Sequence, residues 1–433
     1  MKKNKKKNKK KRRQSKELNI AKLLTTVDHT LNHFIEFDIL DFAKNRSKQL
    51  EIYFNNDDAR KKKWREKKPC MWPDCEEKSI KKSHTIQEHG SLELIADNGK
   101  VLTPEFDHRK GIYLNDIQIA SASTFAGFCD KHEEEFNEFE KTKEITKEKH
   151  IYLQLFRTVC FQKAKWKNEV SSHEELVDKY KLLRDKTIRD YIIEKCKIDP
   201  LKIEIGKVIF ENNDIRIKKS EVLIQNNKAN IKFLEDFYYK KLAEYLRKDT
   251  VIPDIYYKKF KLDRSLPICL AGVAGIEDLE TVFLLNVLPF KEYTLIIFAC
   301  PMEFKEQLDR YLVGADLNDL RLLNLIESWM VYGTDHWFIN KTSWEKLPSG
   351  RKQKIMHDLL NTDYNILSDY AESIFDEHRK YYIEKLEGMR LVLNDNEIAD
   401  FLILEKEKLN NSKYHNIENW KDILLQTARE FSL

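Results

Sequence analysis

The chain has few glycines and lacks any long apolar run. Only 11 of its 433 residues are glycine, and no glycine-rich loop of the type that cradles nucleotide phosphates is present. No apolar stretch approaches the roughly 20 residues that a membrane-spanning helix needs, and the N-terminus lacks the apolar core of a secretory signal. We therefore expect neither a P-loop enzyme nor a membrane or secreted protein.

Cysteine is also scarce. The seven cysteines are too few and too unevenly spaced for a disulfide framework in a chain of this length. Cys269 and Cys300 lie in apolar, strand-like runs and are predicted to be buried free thiols. Because free thiols persist in a reducing compartment, the cytoplasm is the expected location.

Positive charge is concentrated at one end of the chain. The formal net charge is +5, but residues 1–13 alone carry ten Lys and Arg and no acid. The rest of the chain has 67 basic and 72 acidic residues, a net charge of −5. A block of like charge cannot pack, so residues 1–16 are predicted to form a disordered tail. Such a tail either attracts polyanions such as nucleic acid or only increases solubility, and both interpretations stay open.

The apolar patterns predict an α+β protein of several domains. With 41% hydrophobic and 34% charged residues, the chain can bury sizeable cores and is rich in helix. After the tail we predict four segments: an N-terminal helical segment and basic linker at 17–65, a zinc finger at 66–149, a helical middle region at 150–250, and an α/β C-terminal domain at 251–433. In the middle region, Ser172 and Glu175 form a capping-box pattern that predicts a helix start at Ser172.

The C-terminal domain is predicted to contain a small antiparallel sheet and several helices. Between residues 252 and 300, four β-branched or aromatic runs alternate with Pro, Gly and acidic turns. Their connections are too short for helical crossovers, which indicates antiparallel pairing. Helices are predicted at 303–313, 316–332, 351–361, 364–389 and 395–409.

Two Cys/His pairs have the spacing of zinc ligands. Cys70 and Cys75 are separated by four residues, and Cys129 and His132 follow 53 residues later, separated by two. Zinc prefers four Cys and His ligands in a tetrahedron. On a helix, Cys129 and His132 share one face, and the intervening Pro and Asp suit a turn between the first two cysteines. The pattern predicts a structural zinc site of knuckle, hairpin and helix, although unrelated cysteines remain an alternative.

The segments "KSHTIQ" and "ASASTFAGFCDKHEEEF" carry a resemblance to a known family. Together with the Cys/His pairs, they make residues 66–140 similar to HNH-type (ββα-metal) endonucleases that carry a treble-clef zinc finger. The segment also resembles a set of bacterial zinc-finger proteins with a Ser-His-x-Ile stretch and a Gly-Phe-Cys-x2-His helix start. The resemblance covers less than a fifth of the chain.

The HNH resemblance implies a metal-dependent nuclease acting on DNA or RNA, in defence against foreign DNA. His84 matches the general base that activates a water, with Mg²⁺ or Mn²⁺ polarising the phosphate. Ser83 stands where the family has an acid, which is a departure. The base-orienting Asn has no clear counterpart; the candidates are Asn115, Ser123 and Thr124. The nearby candidates for a rebuilt metal site are Asp107, His108, Asp130 and Glu133.

Three roles for His84 therefore stay open. It is a general base, a residue that binds zinc or orients its ligands, or a structural hydrogen-bonding histidine. The second functional hypothesis is a non-catalytic zinc module that binds nucleic acid or a protein partner, with a purely structural zinc ion. A protein partner or self-association is expected to use residues 150–433.

A basic stretch precedes the finger and is a candidate for nucleic-acid contact. Cations around an aromatic side chain can bind phosphates while the ring stacks on a base. The alternative is a solvated linker. The residues of the stretch are Arg60, Lys61, Lys62, Lys63, Trp64, Arg65, Lys67 and Lys68.

In the C-terminal half, "YGTDHWFINKTSWEKLP" is dense in polar and aromatic groups. Asp335 and His336, beside two tryptophans, either line a pocket or belong to a loop that is packed by its own aromatic side chains.

Overall fold

The computed structural model describes residues 43–107, 111–196, 215–248, 254–276, 281–316, 318–359, 365–393 and 396–410. The predictions for the basic tail and for residues 17–42 lie outside these residues. The described chain combines many helices with an antiparallel sheet, which agrees with the predicted α+β class. No helix within the described part is both long and apolar enough to cross a membrane.

The helices differ widely in length. A π-helical stretch, Leu234–Tyr239, joins α6 to α7, and another, Trp329–Gly333, extends α9. Their bounds are α1 Ala43–Trp64, α2 Glu93–Ile95, α3 Asp130–Glu133, α4 Asn137–Thr142, α5 Glu148–Cys196, α6 Ile215–Phe233, α7 Lys240–Lys248, α8 Lys305–Tyr311, α9 Asp319–Ser328, α10 Lys341–Glu345, α11 Ser349–Asp358, α12 Asp376–Leu393 and α13 Asn396–Leu409.

Nine strands in the described residues form two antiparallel sheets. A two-stranded sheet pairs β1 with β4, and a seven-stranded sheet has the order β3-β2-β9-β6-β7-β8-β5. The bounds are β1 Ser83–His84, β2 Lys100–Asp107, β3 Gly111–Gln118, β4 Thr124–Phe125, β5 Ile255–Leu262, β6 Ile268–Ile276, β7 Thr281–Pro289, β8 Thr294–Pro301 and β9 Trp337–Ile339.

The large sheet contains the four predicted strands, β5 to β8, but is not confined to the C-terminal segment. The hairpin β2–β3, which comes from the predicted finger, extends it through the pairing of Leu102 with Ile339 in β9. Sequence proximity suggested a small sheet of four strands. The actual sheet is larger because the short strand β9 bridges two distant parts of the chain.

The chain divides into two compact units whose borders differ from the predicted ones. One unit comprises the chain up to Trp64 and Trp166–Ala229, and the other comprises Arg65–Lys165 and the chain from Asn230 onward. The middle region is therefore shared between the units, and helix α5 contributes residues to both. Apolar periodicity predicted the helices of this region but does not indicate which partners they pack against.

In the first unit, α5 runs uninterrupted through the predicted helix start. Ser172 lies inside this helix, so the capping-box prediction is wrong. Its hydroxyl accepts a hydrogen bond from Asn56 Nδ2 of α1 at 2.8 Å. A second buried bond joins Asn45 Nδ2 to Thr187 Oγ1 at 3.0 Å. These polar side chains link α1 to α5, and Ser172 therefore joins two helices and does not cap one.

In the second unit, both faces of the central strands are covered. All residues of β7 and β8 are buried, which explains their continuous apolar sequence. Leu285 and Val287 face an apolar core that includes side chains of α8 and α9. On the opposite face, Asn286 accepts hydrogen bonds from Gln154 at 3.0 Å and Thr158 at 2.8 Å, both in α5. The predicted helix at 364–389 begins only at Asp376.

Candidate metal centre

The first pair of cysteines lies on a tight knuckle. The Cys70 amide donates to the Glu77 carbonyl at 2.8 Å, and the Cys75 amide donates to the Trp72 carbonyl at 3.3 Å. Asp74 has a φ of 58°, the left-handed conformation that such a turn needs and that Asp tolerates better than most residues. The turn brings the two thiols to the same side of the knuckle.

The second pair lies at the start of α3. Cys129 directly precedes Asp130, the first helical residue. Its carbonyl accepts the His132 amide at 3.0 Å, so the thiol and the ring lie above the same turn. The knuckle is attached to this segment because the Met71 amide donates to the Gly127 carbonyl at 2.8 Å.

The structure brings the four predicted ligands together. Their sulfur and nitrogen atoms all lie within 4.8 Å of one another. The Cys75 and Cys129 sulfurs are 3.8 Å apart, and Cys70 Sγ is 3.6 Å from His132 Nδ1. Tetrahedral zinc with bonds of about 2.3 Å to sulfur and about 2.0 Å to nitrogen needs separations of roughly 3.8 and 3.5 Å. The 3.1 Å between Cys129 Sγ and His132 Nδ1 is shorter than this. The group fits a metal ion such as zinc.

The electrostatics of the group favour a bound cation over free thiolates. Burial raises the pKa of the Cys70 thiol to about 12 and also raises the pKa of Cys129, so a metal ion must displace the thiol protons when it binds. Cys70 Sγ accepts amide hydrogen bonds from Trp72 at 3.5 Å and from Cys129 at 3.3 Å, which stabilise its anionic form. Burial lowers the pKa of His132, which keeps its ring neutral and able to act as a ligand.

Side chains outside the ligand set fix the knuckle. The Trp72 indole stacks on the His132 ring with centroids 4.9 Å apart and planes at 7°. Tyr239, in the π-helical stretch before α7, donates a hydrogen bond from its hydroxyl to the Met71 carbonyl of the knuckle at 2.8 Å. Arg247 makes two hydrogen bonds with Asp74, of 2.5 and 3.0 Å. The knuckle is therefore packed into the second unit and is not an independent finger.

Ser83, at the position of the HNH acid, has a structural role. Its side chain is fully buried, and its hydroxyl oxygen accepts amide hydrogen bonds from Gly127 at 3.3 Å and Phe128 at 2.9 Å. Ser83 therefore holds the backbone that leads into Cys129.

His84 is poorly placed to act as a base. Its Nε2 atom lies 3.1 Å from a Glu88 carboxylate oxygen. Its Nδ1 atom is buried and makes no hydrogen bond within the described residues. Burial, helped by the positive charge of Arg157, lowers the pKa of His84 to about 4. A base with so low a pKa is largely unprotonated but weak at neutral pH.

The other candidates for an HNH site are dispersed. Asn115 lies on β3 opposite Thr103, in a different sheet from His84. Thr124 is the register partner of His84, but its hydroxyl donates to the Ser121 carbonyl at 2.9 Å. His108 and the Asp107 side chain lie outside the described part. Within that part, the Cys₃His group is the one cluster of three or more metal-binding side chains.

Several cations of the predicted nucleic-acid stretch are paired with acids. Arg60 and Lys61 both contact Asp57, with shortest distances of 2.7 and 2.8 Å, and Lys63 pairs with Glu175 of α5. These three charges are therefore partly neutralised on the surface of the first unit. Of the other members, Trp64 is half-buried, Lys68 has its amine 3.9 Å from Glu66, and Lys62, Arg65 and Lys67 are exposed.

Asp335 and His336 belong to a packed core and not to an open pocket. His336 Nδ1 lies 2.8 Å from the Ala271 carbonyl and Nε2 lies 3.3 Å from Ser123 Oγ. Asp335 pairs with Lys165. Trp337 of β9 and Trp344 of α10 are buried in the apolar core. The segment is therefore packed by its aromatic residues, but it forms a strand and a helix and not the predicted loop.

The sequence patterns assigned no role to Arg157, which lies in α5. Its guanidinium is buried, 2.6 Å from Glu140 and 3.4 Å from Glu133, and 3.9 Å from the Phe136 ring centroid. The available signal was an arginine within the apolar helical run "YLQLFRTVCF". A charge at such a position indicates a buried partner.

Comparisons with protein-family models, curated proteins and solved structures found no match. The interpretation of the site therefore depends on its own geometry.

Proposed function

We propose that the protein is a zinc-stabilised nucleic-acid-binding protein in which Cys70, Cys75, Cys129 and His132 hold one structural zinc ion. The observation that carries this proposal is the complete set of four converging Cys and His ligands. Structural zinc sites are closed in this way, whereas catalytic sites keep one position for water or substrate. We regard the knuckle, the β1–β4 pair and α3 as a treble-clef-type finger.

In this proposal, the zinc ion has a structural role. The knuckle contributes two ligands, and Cys129 and His132 at the start of α3 contribute the other two; Trp72 covers the His132 ring. A bound zinc ion would supply the cross-link between these two segments. The N-terminal block of ten basic residues supports nucleic acid as the partner, since it would attract phosphates at long range.

The HNH-like nuclease remains a weaker proposal. In its favour, His84 pairs with Glu88, as a carboxylate-oriented base would. Against it, Nε2 of His84 lies beside the Glu88 carboxylate, and Nδ1 is buried. The hydroxyl of Ser83 already accepts hydrogen bonds from two backbone amides.

Metal analysis tests the structural proposal. The purified chain should contain one zinc ion per molecule, and Cys129→Ser should lower this content. Cys160→Ser changes a buried cysteine outside the group and should retain it. A zinc content near zero in the wild type would contradict the proposal.

A cleavage assay separates the two functions. Wild type and His84→Ala are incubated with plasmid DNA and with RNA in Mg²⁺ or Mn²⁺. We expect salt-sensitive binding without cleavage by either protein. Cleavage that disappears in His84→Ala would establish the nuclease instead.

A further inference from the structure

The zinc knuckle carries an exposed basic face on its outer side. The segments before Cys70 and after Cys75 pair as a short antiparallel ladder, in which Pro69 lies opposite Lys78. The Ser79 amide donates to the Lys68 carbonyl at 2.7 Å. Cys70 and Ser79 are buried, so their side chains point inward. Because side chains alternate along a strand, Lys67 and Lys78 point outward, and both are exposed. Lys81 is exposed at the end of the ladder.

These three lysines differ from most other cations nearby. No acidic side chain among the described residues pairs with Lys67, Lys78 or Lys81. In contrast, Lys68 lies near Glu66, and the Lys82 amine donates to the Ala120 carbonyl at 2.9 Å. The acids Glu76 and Glu77 are also exposed on the knuckle, so the surface carries both signs of charge.

We infer that the three exposed lysines at and beside the ladder, Lys67, Lys78 and Lys81, here together called the ladder face, contact the phosphate backbone of nucleic acid. This inference rests on the proposed function and moves the contact away from Arg60, Lys61 and Lys63. Cations already held by carboxylates gain little from a phosphate, because the existing pair must first be broken. Unpaired lysines on a rigid ladder bind phosphates without that cost, and each releases a counterion from the nucleic acid.

The ladder face is also coupled to the metal. Cys70 ends one segment of the ladder, and Cys75 precedes the other. These two metal ligands therefore fix the spacing of the lysines. Zinc would thereby keep the ladder face in shape without touching the nucleic acid.

The test compares two full-length triple variants. One, Lys67→Gln/Lys78→Gln/Lys81→Gln, removes the ladder face. The control, Arg60→Gln/Lys61→Gln/Lys63→Gln, removes the same charge from the paired cations. Binding to duplex DNA and to single-stranded RNA is measured by fluorescence anisotropy between 50 and 300 mM salt. Zinc content and thermal melting verify that each variant is folded.

The expected result is a change in salt dependence. Each phosphate contact contributes about 0.7 to 0.9 to the slope of log K against log salt. The ladder variant should therefore reduce the magnitude of this negative slope by about 2 to 3 units. The control should reduce it by less than about 1 unit, because its cations are already paired with acids. Equal slopes in the two variants would overturn the inference. Tighter binding to anionic phosphatidylserine vesicles than to either nucleic acid would overturn it too, and absence of nucleic-acid binding by the wild type would contradict the proposed function itself.

Discussion

At the scale of single residues, the hydroxyl of Ser83 has a structural role. It satisfies two buried amides, those of Gly127 and Phe128. Ser83→Ala would leave both amides without an acceptor, so we expect the free energy of unfolding to fall by about 1–3 kcal/mol. Urea denaturation measures this change. Ser121→Ala, at an exposed hydroxyl, should change stability by less than about 0.5 kcal/mol; an equal loss in both variants would contradict the assigned role.

A second residue-scale prediction concerns the protonation of His336. Burial lowers its folded-state pKa to about 4, from 6.5 in a model peptide. Between these values the unfolded chain binds a proton that the folded chain does not. Stability therefore falls as the pH drops from 6.5 to 4, by at most about 3 kcal/mol from this group. His336→Asn retains a donor for the Ala271 carbonyl but does not titrate.

The pH dependence of the variant isolates the contribution of His336. The cost of His336→Asn, measured by urea denaturation, should be larger at pH 7 than at pH 4.5, because the wild type alone loses stability over this range. Other groups that titrate in the same range cancel in the comparison. A cost that does not depend on pH would mean that His336 is protonated in the folded protein as it is in the unfolded chain.

The sequence predicted the identities of site residues better than their roles. Four ligands were recognisable because thiols and imidazoles at fixed spacings have few alternative uses. The roles of Ser83 and His84 were not recognisable. They depend on which amides and carboxylates approach them from residues 88, 127 and 128, and this is a property of the tertiary fold.

At the scale of elements, the knuckle turn depends on the left-handed backbone of Asp74. Asn tolerates this conformation, whereas Ala pays about 1 kcal/mol for it. We therefore expect Asp74→Asn to bind zinc almost as well as the wild type, since the exposed pair with Arg247 contributes little. Asp74→Ala should bind zinc roughly fivefold more weakly, because folding of the turn is coupled to binding.

Competition with a chromogenic chelator measures these affinities. Glu76→Ala, two residues further along and also exposed, is the matched control and should leave zinc affinity unchanged. If Asp74→Asn and Asp74→Ala weaken binding equally, the ion pair with Arg247 and not the backbone conformation determines the stability of the turn.

Elements with strong local patterns were predictable, and those decided by tertiary packing were not. The strands β5 to β8 all contain β-branched or aromatic residues within short segments bounded by turns, and they lie where expected. Helix α5 passes through Ser172 because the serine hydroxyl finds a partner in α1, an outcome that a local capping pattern cannot anticipate. The three-residue strand β9 is too short to be recognised by its periodicity, yet it joins two parts of the large sheet.

At the scale of the whole molecule, a buried charge network joins three helices of the second unit. Arg379 of α12 is fully buried, lies 2.6 Å from Glu327 of α9, and pairs with Glu405 of α13. Arg379→Ala would leave two buried carboxylates without this partner, and we expect a loss of roughly 3–5 kcal/mol in stability. Lys385→Ala removes a largely exposed pair from the same helix and should cost less than about 1 kcal/mol.

Thermal melting and urea denaturation compare these two variants. A small cost for Arg379→Ala would show that water or rearranged side chains solvate the carboxylates in the native state. The sequence did not predict this network, because a local pattern does not show which faces of three separate helices pack together.

Removal of zinc should affect the predicted finger unevenly. The knuckle and α3 depend on the cross-link, because their few backbone contacts join segments that the ligands hold together. The hairpin β2–β3 is different. Although it lies between the two ligand pairs in sequence, it pairs with β9, and Thr103 Oγ1 donates to the Trp337 carbonyl at 2.9 Å. The hairpin therefore belongs mechanically to the large sheet.

Hydrogen exchange with and without a zinc chelator measures this difference. Peptides covering residues 68–84 and 123–142 should lose protection when zinc is removed, because zinc binding and local folding are coupled. Peptides from β2 and β3 should keep most of their protection, as should those from α1 in the first unit, where the predicted ligands are absent. Uniform loss across residues 66–142 would mean instead that the whole segment folds as one zinc-dependent domain, as the sequence alone suggested.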